Sequence, residues 1–295
     1  MGPMHGRHVV LLSVCLAAAA LAFPDVRSPI RTGDAVRKAV AVIGERHSGT
    51  NFMRRLLEEN LDLSALMVTN AFCANKHKYQ APNKQCLPPE TTAVIVMLRN
   101  PYDWAAAMHR ACWCEADQAK STPFLGADAP FEAFLTQPWM DNSIKPWTRE
   151  TQRAPCAHIL ECRRFKLINF LNISSWAPFV EYVRHEDVVV PEDSLRWLAG
   201  FVERHGLTTT ASKGKLKANV HYKGKFADKF DSEDYMGGSL WFNHSLAESN
   251  SSLRDAIQLV SRYMDSAVES MAGYPAIFLK PLPKTRGGRR LGQNP

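Results

Sequence analysis

A short apolar run, residues 39–43 (AVAVI), leads directly into a loop with two glycines and then into a helical pattern. An uninterrupted apolar run of this length is typical of a strand that is buried on both faces. The two glycines, Gly44 and Gly49, precede apolar residues that recur at helical spacing from Asn51 onward. A strand, loop and helix in this order place backbone N–H groups and a helix N-terminus around an anion. The segment therefore predicts a phosphate-binding loop.

The same loop lacks the residues of an ordinary nucleotide hydrolase. Gly44 and Gly49 have the spacing of a Walker A loop, but Thr50 and Asn51 stand where a lysine and a hydroxyl residue should follow. Without the lysine that reaches the β- and γ-phosphates, hydrolysis of ATP or GTP is disfavoured. The loop offers other polar side chains that could contact an anion, namely Arg46, His47, Ser48 and Thr50. A glycine turn with a helix cap is the alternative interpretation.

A second apolar run, residues 93–98 (AVIVML), ends at Arg99 and the pair Asn100-Pro101. Asn100 is a good helix cap and Pro101 suits the first helical turn, so a helix should begin here. Ligands of parallel sheets bind at the carboxyl ends of the strands, so Arg99 should lie in the same crevice as the glycine loop. Because arginine favours planar, bidentate contacts with phosphate, Arg99 predicts a second phosphate contact.

Helical and strand-like patterns alternate along the rest of the chain, and no repeat or internal domain boundary is evident. We predict a third strand at residues 179–183 and an irregular loop at residues 73–92. The predicted helices lie at residues 101–110, 131–135, 158–171, 192–205 and 252–272. Alternation of this kind indicates an α/β fold with a mainly parallel sheet that is flanked by helices. The irregular region at residues 115–157 is long enough to cover the substrate side of such a fold.

The N-terminus has the pattern of a secretory signal. Arg7 precedes an apolar run without charges, and Ala20-Leu21-Ala22 offers small residues for cleavage, so we assign residues 1–22 as a signal peptide. The run is shorter than the ~20 residues of a membrane-spanning helix, but a short uncleaved signal anchor is the alternative. Residues 23–37 form a linker, residues 38–279 the folded domain and residues 280–295 a basic disordered tail.

Six cysteines follow Cys15 in the signal, and an even number in an exported chain indicates disulfide bonds. They are Cys73, Cys86, Cys112, Cys114, Cys156 and Cys162. Cys73 and Cys86 form a natural bridge, and Cys112 and Cys114 are expected to pair with Cys156 and Cys162. The rival interpretation, a zinc site, is disfavoured because these spacings fit no common zinc motif. Three Asn-x-Ser glycosylation acceptors also suit a lumenal chain, at Asn172, Asn243 and Asn250.

The formal net charge is +7, and the excess lies mainly in two places. One is the basic tail, and the other is the lysine-rich segment at residues 213–229. That segment could contact an anionic ligand or form a solvated face. A positive chain would suit an acidic polysaccharide.

The two phosphate motifs together resemble those of the P-loop sulfotransferases, whose donor is 3'-phosphoadenosine 5'-phosphosulfate (PAPS). Residues 48–50 (SGT) match the core that binds the 5'-phosphosulfate in that family, and residues 99–103 (RNPYD) match the segment that binds the 3'-phosphate. The Lys76-His77 pair resembles the element that supplies the catalytic base, and residues 182–187 (YVRHED) resemble a segment on a later strand. The resemblance covers residues 38–275, with these four patches as its specific part.

The resemblance implies a P-loop-type, three-layer α/β/α fold and transfer of a sulfuryl group from PAPS to a hydroxyl acceptor. His77 would act as the catalytic base, and Arg46 and His47 would stabilise charge on the bridging oxygen. The donor would be held by Gly44, Arg46, His47, Ser48, Gly49, Thr50, Asn51, Arg99 and Lys223. We expect a carbohydrate acceptor, no metal cofactor, no nucleic-acid partner, and residence in the Golgi lumen or secretion.

Two departures from the family pattern open alternatives. His47 stands where the family has a lysine, and Ala107 stands where a serine would contact the 3'-phosphate. Arg46 could replace the lysine, and Lys223 in the lysine-rich segment could compensate for the lost hydroxyl contact. The departures nevertheless favour a second hypothesis, a sulfotransferase-like protein that binds a nucleotide or an anionic glycan without turnover. The glycine spacing supports a third, a divergent P-loop kinase.

Overall fold

The computed structural model describes residues 37–110, 129–140, 155–210, 216–217 and 251–274. The signal peptide, most of the linker, the basic tail and Lys223 lie outside these residues, as do Asn243 and Asn250. Asn172 is exposed at the end of a helix, where a glycan could be attached. In the described parts of the chain, no helix combines the length and the apolar character needed to cross a bilayer.

Four strands form one parallel sheet; the sequence predicts the parallel arrangement and three of the four strands. They are β1 (Ala39–Gly44), β2 (Met67–Thr69), β3 (Thr92–Leu98) and β6 (Val180–Arg184). Their order in the sheet is β2-β1-β3-β6, and every neighbouring pair is parallel. After β1 the chain forms β2 on one side of β1 and then β3 on the other side. The carboxyl ends of β1 and β3 therefore flank a topological switch point. Ligands of open α/β sheets bind at such points.

Helices cover both faces of the sheet. On one face, α1 (Thr50–Asn60) and α5 (Pro191–His205) pack against side chains such as Val42 and Ile95. On the other face, α4 (Ile159–Leu171) and α7 (Ser266–Met271) pack against Ile43 and Val96. Both central strands are buried along their whole length, which explains their uninterrupted apolar sequences. The described residues therefore form three layers in an α/β fold.

A helical cluster lies beside the sheet. It contains α2 (Pro101–Arg110), α3 (Phe131–Thr136) and α6 (Ser251–Tyr263), which pack together with the start of α4. Two short antiparallel strands, β4 (Trp139–Met140) and β5 (Pro155–Cys156), adjoin it within the region predicted to be irregular. Trp139 and Cys156 pack into the same cluster.

Two predicted elements are wrong in detail. The single helix predicted at residues 252–272 is two helices, because the Asp265 carboxylate accepts hydrogen bonds from the backbone N–H groups of Ala267 and Val268 and begins α7. Its apolar stripe is divided accordingly, with Val260 in the helical cluster and Val268 against the sheet. The short strand β2 was not predicted; its three residues are exposed or half-buried and lack the apolar signature of the central strands.

The structure contains two disulfide bonds among its described residues. The Cys73–Cys86 bridge is confirmed. Cys156 pairs with Cys162, so the expected pairing of these two with Cys112 and Cys114 is wrong. The reason is local, because β5 turns directly into α4 and brings the two Cα atoms to 5.5 Å. Cys112 and Cys114 lie outside the described residues.

Candidate phosphate-binding site

Hydrogen bonds to four consecutive carbonyl oxygens hold the loop between β1 and α1, three from residues outside the loop and one from Ser48 within it. The first two belong to Gly44 and Glu45. His77 Nδ1 lies 2.8 Å from the Gly44 oxygen, and because a carbonyl can only accept, Nδ1 carries the proton. The Ser48 hydroxyl donates to the Glu45 oxygen at 2.7 Å. The imidazole of His77 is thereby fixed in one tautomer, with Nε2 as its basic nitrogen.

The next two carbonyls are held by residues from the turn after β3 and from α2. Trp104 Nε1 donates to the Arg46 oxygen at 2.9 Å, and Arg99 Nη1 donates to the His47 oxygen at 3.0 Å. In a trans peptide the carbonyl and the following N–H point in opposite directions. The four bonds therefore fix the peptide planes of the loop, and with them the N–H groups that would meet an anion. The Ser48 N–H itself donates to the Glu45 carbonyl at 3.3 Å.

The two glycines are required by the shape of the loop. Gly49 has φ of 87° and immediately precedes α1; a Cβ there would lie 2.5 Å from Cδ2 of His185. At Gly44 a Cβ would lie 2.4 Å from the carbonyl oxygen of Met97. His47 also has positive φ, 59°, which is uncommon for a residue with a side chain. These values describe a tightly curved loop that admits no side chain at either glycine.

Two of the expected hydroxyl donors are buried in the loop. Ser48 is fully buried, and its hydroxyl proton already serves the Glu45 carbonyl, so Ser48 braces the loop from within. Thr50 is buried at the first position of α1. Donation of the Ser48 hydroxyl proton to a bound phosphate would therefore require this side chain to rotate.

The Lys76-His77 pair lies directly against the loop. The Gly44 N–H donates to the Lys76 carbonyl at 2.9 Å, and the Lys76 ammonium donates to Oδ1 of Asn51. Burial, together with the charges of Arg54 and Arg46, lowers the pKa of Lys76 to about 8. The fold thus brings together two segments that the sequence separates, and it surrounds the loop with cationic side chains.

Gln80 organises the segment that carries this pair. Its side-chain oxygen accepts from the N–H groups of Cys73 and Ala74 at 3.1 and 3.2 Å. Its amide nitrogen donates to the carbonyls of Asn75 and Lys78 at 3.1 and 2.8 Å. With the disulfide bond from Cys73, these contacts give a defined conformation to a segment predicted only as a loop.

His77 is neutral in the ligand-free protein. Burial lowers its pKa to about 3, and the charges of Lys76, Arg46 and Lys166 act in the same direction. The hydrogen bond to the Gly44 carbonyl opposes this shift but does not outweigh it. A bound anion would favour the protonated imidazole and raise this pKa. The ring is therefore a neutral hydrogen-bond acceptor whose basicity would increase when the loop is occupied.

Hydrogen bonds hold the turn after β3 on both sides. Asn100 Oδ1 accepts from the Asp103 N–H at 2.8 Å and so caps α2, as predicted. Glu186 Oε1 accepts from the backbone and side-chain N–H groups of Asn100 at 2.9 and 2.8 Å. The Tyr274 hydroxyl donates to the other oxygen of Glu186 at 2.9 Å. Glu186 therefore holds the turn that presents Arg99.

His185 closes the other side of the loop. Its ring lies against Gly49 and makes an edge contact with Phe52, with ring centroids 6.5 Å apart. Burial, reinforced by the charge of Arg99, lowers the pKa of His185 to about 3. The segment at residues 182–187 thus contacts both phosphate motifs, with His185 against the loop and Glu186 at the turn after β3.

Sequence reasoning missed a buried ion network centred on Arg163. Arg163 Nη1 lies 2.6 Å from Glu45 Oε2, Nε lies 2.5 Å from Glu269 Oε1, and Nη2 donates to the Arg99 carbonyl at 2.6 Å. Although burial disfavours its charged form, the charges of Glu269 and Glu45 raise the pKa of Arg163 above its ordinary value. The available signal was a charge within the apolar stripe of α4, three residues after Leu160 and four before Leu167.

The structure brings nearly all of the predicted site residues to one edge of the sheet. Lys223 lies outside the described residues. Ala107, which stands where P-loop sulfotransferases have a serine, is buried in α2. In the parts of the chain that are described, no three His, Cys, Asp or Glu side chains are grouped so as to hold a metal ion. Comparisons with protein-family models, with curated proteins and with solved structures find no match.

Proposed function

We propose that this protein is a P-loop-type sulfotransferase that moves a sulfuryl group from PAPS to a hydroxyl acceptor. The observation that carries the proposal is the pair of hydrogen bonds at Gly44. Its N–H donates to the Lys76 carbonyl at 2.9 Å, and its carbonyl accepts from His77 Nδ1 at 2.8 Å. A neutral imidazole thus lies next to the loop that would hold the leaving group, which is what general base catalysis beside a phosphate requires.

The described residues fit the donor. The loop curves tightly enough to require both glycines, since a Cβ at Gly44 or Gly49 would collide with neighbouring protein atoms, and it leads directly into the N-terminus of α1. Arg46 and Lys76 add positive charge on the loop side, and Arg99 lies at the adjacent strand end, with its Nη1 3.0 Å from the His47 carbonyl. These cations suit a ligand with a phosphosulfate at one end and a second phosphate nearby.

In the proposed mechanism PAPS supplies the sulfuryl group, and the chain's own residues orient the reactants and move one proton. His77 Nε2 accepts the proton of the acceptor hydroxyl while the acceptor oxygen attacks in line, and Nδ1–H remains bonded to the Gly44 carbonyl. Arg46, His47 and the loop N–H groups stabilise the negative charge on the oxygen that leaves. Negative charge in the loop stabilises the imidazolium that results, which then releases its proton to solvent.

The acceptor and the compartment are part of the proposal. Two disulfide bonds, the apparent signal and an exposed Asn172 acceptor support a lumenal glycoprotein, resident in the Golgi or secreted. In that compartment glycan hydroxyls are abundant, and the net charge of +7 favours acidic polysaccharides as acceptors.

A second candidate function is binding of a nucleotide or anionic glycan without turnover. It is favoured by the low pKa of His77, about 3, which makes the ligand-free imidazole a weak base. The replacements at His47 and Ala107 favour it as well. A divergent kinase is the third candidate, and the absence of the Walker lysine counts against it.

Two measurements distinguish these candidates. The purified protein is titrated with adenosine 3',5'-bisphosphate and, separately, with ATP and magnesium, while its thermal unfolding is followed. The proposal predicts that only the bisphosphate raises the midpoint; a rise with ATP and magnesium alone supports the kinase. Transfer of labelled sulfate from PAPS to a glycan panel then separates turnover from binding, and tight bisphosphate binding without any transfer would favour the second candidate.

A further inference from the structure

We propose that one buried polar face of α4 positions the two halves of the site separately, with Arg163 holding the phosphate loop and Asn169 holding the Lys76-His77 segment. Arg163, Lys166 and Asn169 are all buried and follow one another at three-residue intervals, so they share one side of the helix. The effect of these residues on catalysis rests on the proposed function. Their effect on the conformation of the phosphate loop and of the Lys76-His77 segment does not.

The first contact point is Arg163. It binds the Glu45 carboxylate at the start of the phosphate loop and the carbonyl of Arg99 at the start of the second phosphate motif, each at 2.6 Å. One guanidinium therefore sets the separation of the two motifs. Its rigid fork allows this, because the donors point in fixed directions. Glu269 from α7 binds the remaining edge through two hydrogen bonds and fixes the orientation of the guanidinium.

The second contact point is Asn169. Its Oδ1 accepts from the Gln80 N–H and its Nδ2 donates to the Gln80 carbonyl, both at 2.8 Å. This reciprocal pair fixes the backbone of Gln80, whose side chain in turn holds the carbonyls of Asn75 and Lys78. His77 lies between those two residues. Asn169 is thus a positioning residue for the imidazole, and the two hydrogen bonds described here both go to Gln80 and not to the phosphate loop.

Lys166 lies between these two contact points on the same face and is also buried. Its charge acts on His77, so this part of α4 also sets the electrostatic environment of the imidazole. The helix is held at its start by the Cys156–Cys162 bridge and by the His158 side chain, which accepts from the Glu161 N–H at 3.1 Å. The polar face is therefore presented by a helix with a fixed beginning.

The structure supplies a matched control one residue away. Arg164 also pairs with an acidic residue near the start of α7, Asp265, at 2.8 Å, but this pair lies at the surface, with the side chains 43% and 31% exposed. Arg164→Lys therefore alters an ion pair on the same helix without changing the buried face. Surface pairs of this kind contribute little to stability.

The first test measures donor affinity and turnover in full-length variants. Arg163→Lys is expected to weaken the Kd for adenosine 3',5'-bisphosphate by about 10-fold or more, since one ammonium cannot replace the fork. Asn169→Ala is expected to lower kcat by about 10-fold or more while the Kd stays within about 2-fold. Arg164→Lys should change neither. Equal effects of the first two variants on Kd and kcat would overturn the proposed separation of roles.

The second test uses hydrogen–deuterium exchange of the ligand-free proteins and does not depend on PAPS. Arg163→Lys should increase exchange at residues 45–50 and spare residues 73–80, and Asn169→Ala should do the reverse. Gly44 is left out because its N–H donates to the Lys76 carbonyl and so reports on both segments. If Arg163→Lys does not fold, Glu269→Gln replaces it, because Glu269 reaches the loop through Arg163. Loosening of both segments by each variant, or of neither, would contradict the inference. If the expected exchange pattern is found but the protein binds no adenosine 3',5'-bisphosphate, the inference about α4 stands and only the proposed function is refuted.

Discussion

The carbonyl oxygen of Gly44 lies 2.8 Å from Nδ1 of His77. The residue that begins the phosphate loop therefore also decides which nitrogen of the imidazole carries the proton. A histidine that was free to rotate could present either nitrogen, whereas here only Nε2 remains as an acceptor. The base of the proposed reaction and the loop for its donor are thus built on a single residue.

Replacement of His77 should separate binding from turnover. His77→Ala should bind adenosine 3',5'-bisphosphate with little change, because the loop N–H groups remain, and should lose about 100-fold or more in sulfuryl transfer. Isothermal titration and a labelled-sulfate assay give the two quantities. Lys78→Ala is the control, since Lys78 is exposed in the same segment and makes its Gln80 contact through the backbone. Undiminished turnover in His77→Ala would remove His77 from the mechanism.

Replacement of Gly49 should cost more than the unfavourable backbone angle alone. Gly49 and Gly206 both have left-handed φ, 87° and 60°, but a Cβ at Gly206 would meet nothing within 4 Å. Gly206→Ala should therefore lose about 1 kcal/mol of unfolding free energy from the backbone term. Gly49→Ala should lose about 1–3 kcal/mol more, because its Cβ would collide with the His185 ring. Urea denaturation measures both, and equal losses would contradict the described packing.

The stability of the protein should depend on pH through two half-buried, desolvated histidines. His77 and His185 have a folded pKa of about 3 against an ordinary value of 6.5, so the unfolded chain binds more protons between these pH values. Stability should therefore rise with pH across this window, by up to about 1.4 kcal/mol per pH unit for each ring, and be fully present above pH 6.5.

His185→Gln isolates one of these contributions. Between pH 4 and 6 the variant should show a shallower increase of unfolding free energy with pH than the wild type, by up to about 1.4 kcal/mol per unit. Above pH 7 the two curves should run parallel, because both rings are then neutral in either state. Identical slopes at acid pH would show that His185 is not buried as described. Urea midpoints at a series of pH values provide the data.

The Cys73–Cys86 bridge should matter for turnover more than for nucleotide binding. Replacing both cysteines by serine should lower the unfolding free energy by about 2–4 kcal/mol, as is typical for a bridge that closes a loop of this size. Sulfuryl transfer should fall because the Lys76-His77 segment is less confined, whereas the affinity for the bisphosphate should change little. Peptide mapping of the wild type should find this bridge and a Cys156–Cys162 bridge; other pairings of these four would contradict the structure.

Local patterns predicted most of the fold because the relevant forces act over a few residues. The buried strands β1 and β3 are continuous apolar runs, and Asn100 caps α2 from the adjacent position. The end of the chain shows the limit of such reasoning. An apolar stripe continues through Asp265, yet the carboxylate of Asp265 accepts two backbone hydrogen bonds and begins a second helix. The apolar periodicity correctly predicts helix before and after Asp265, but it does not reveal that one helix ends before Asp265 and that the Asp265 side chain caps the next.

The candidate site was predictable only in its motifs. Gly44, Gly49 and Arg99 follow from spacing, because glycine loops and strand ends have recognisable sequences. Arg163 could not be assigned from sequence, because its partners Glu45 and Glu269 come from distant parts of the chain. Trp104 is similar, since its indole N–H serves a carbonyl that no local pattern identifies. The residues that hold the loop are long-range contacts, and one sequence does not reveal such pairs.

Glu269 and Tyr274 lie at the end of the described chain, yet they complete the network that holds the first loop and the turn after β3. During synthesis the loop leaves the ribosome long before these partners exist. The anion site must therefore mature late, and nascent or truncated chains that end before residue 269 would carry an Arg163 without its second carboxylate. Binding of the proposed nucleotide would then require that the chain has been made and folded at least as far as Tyr274.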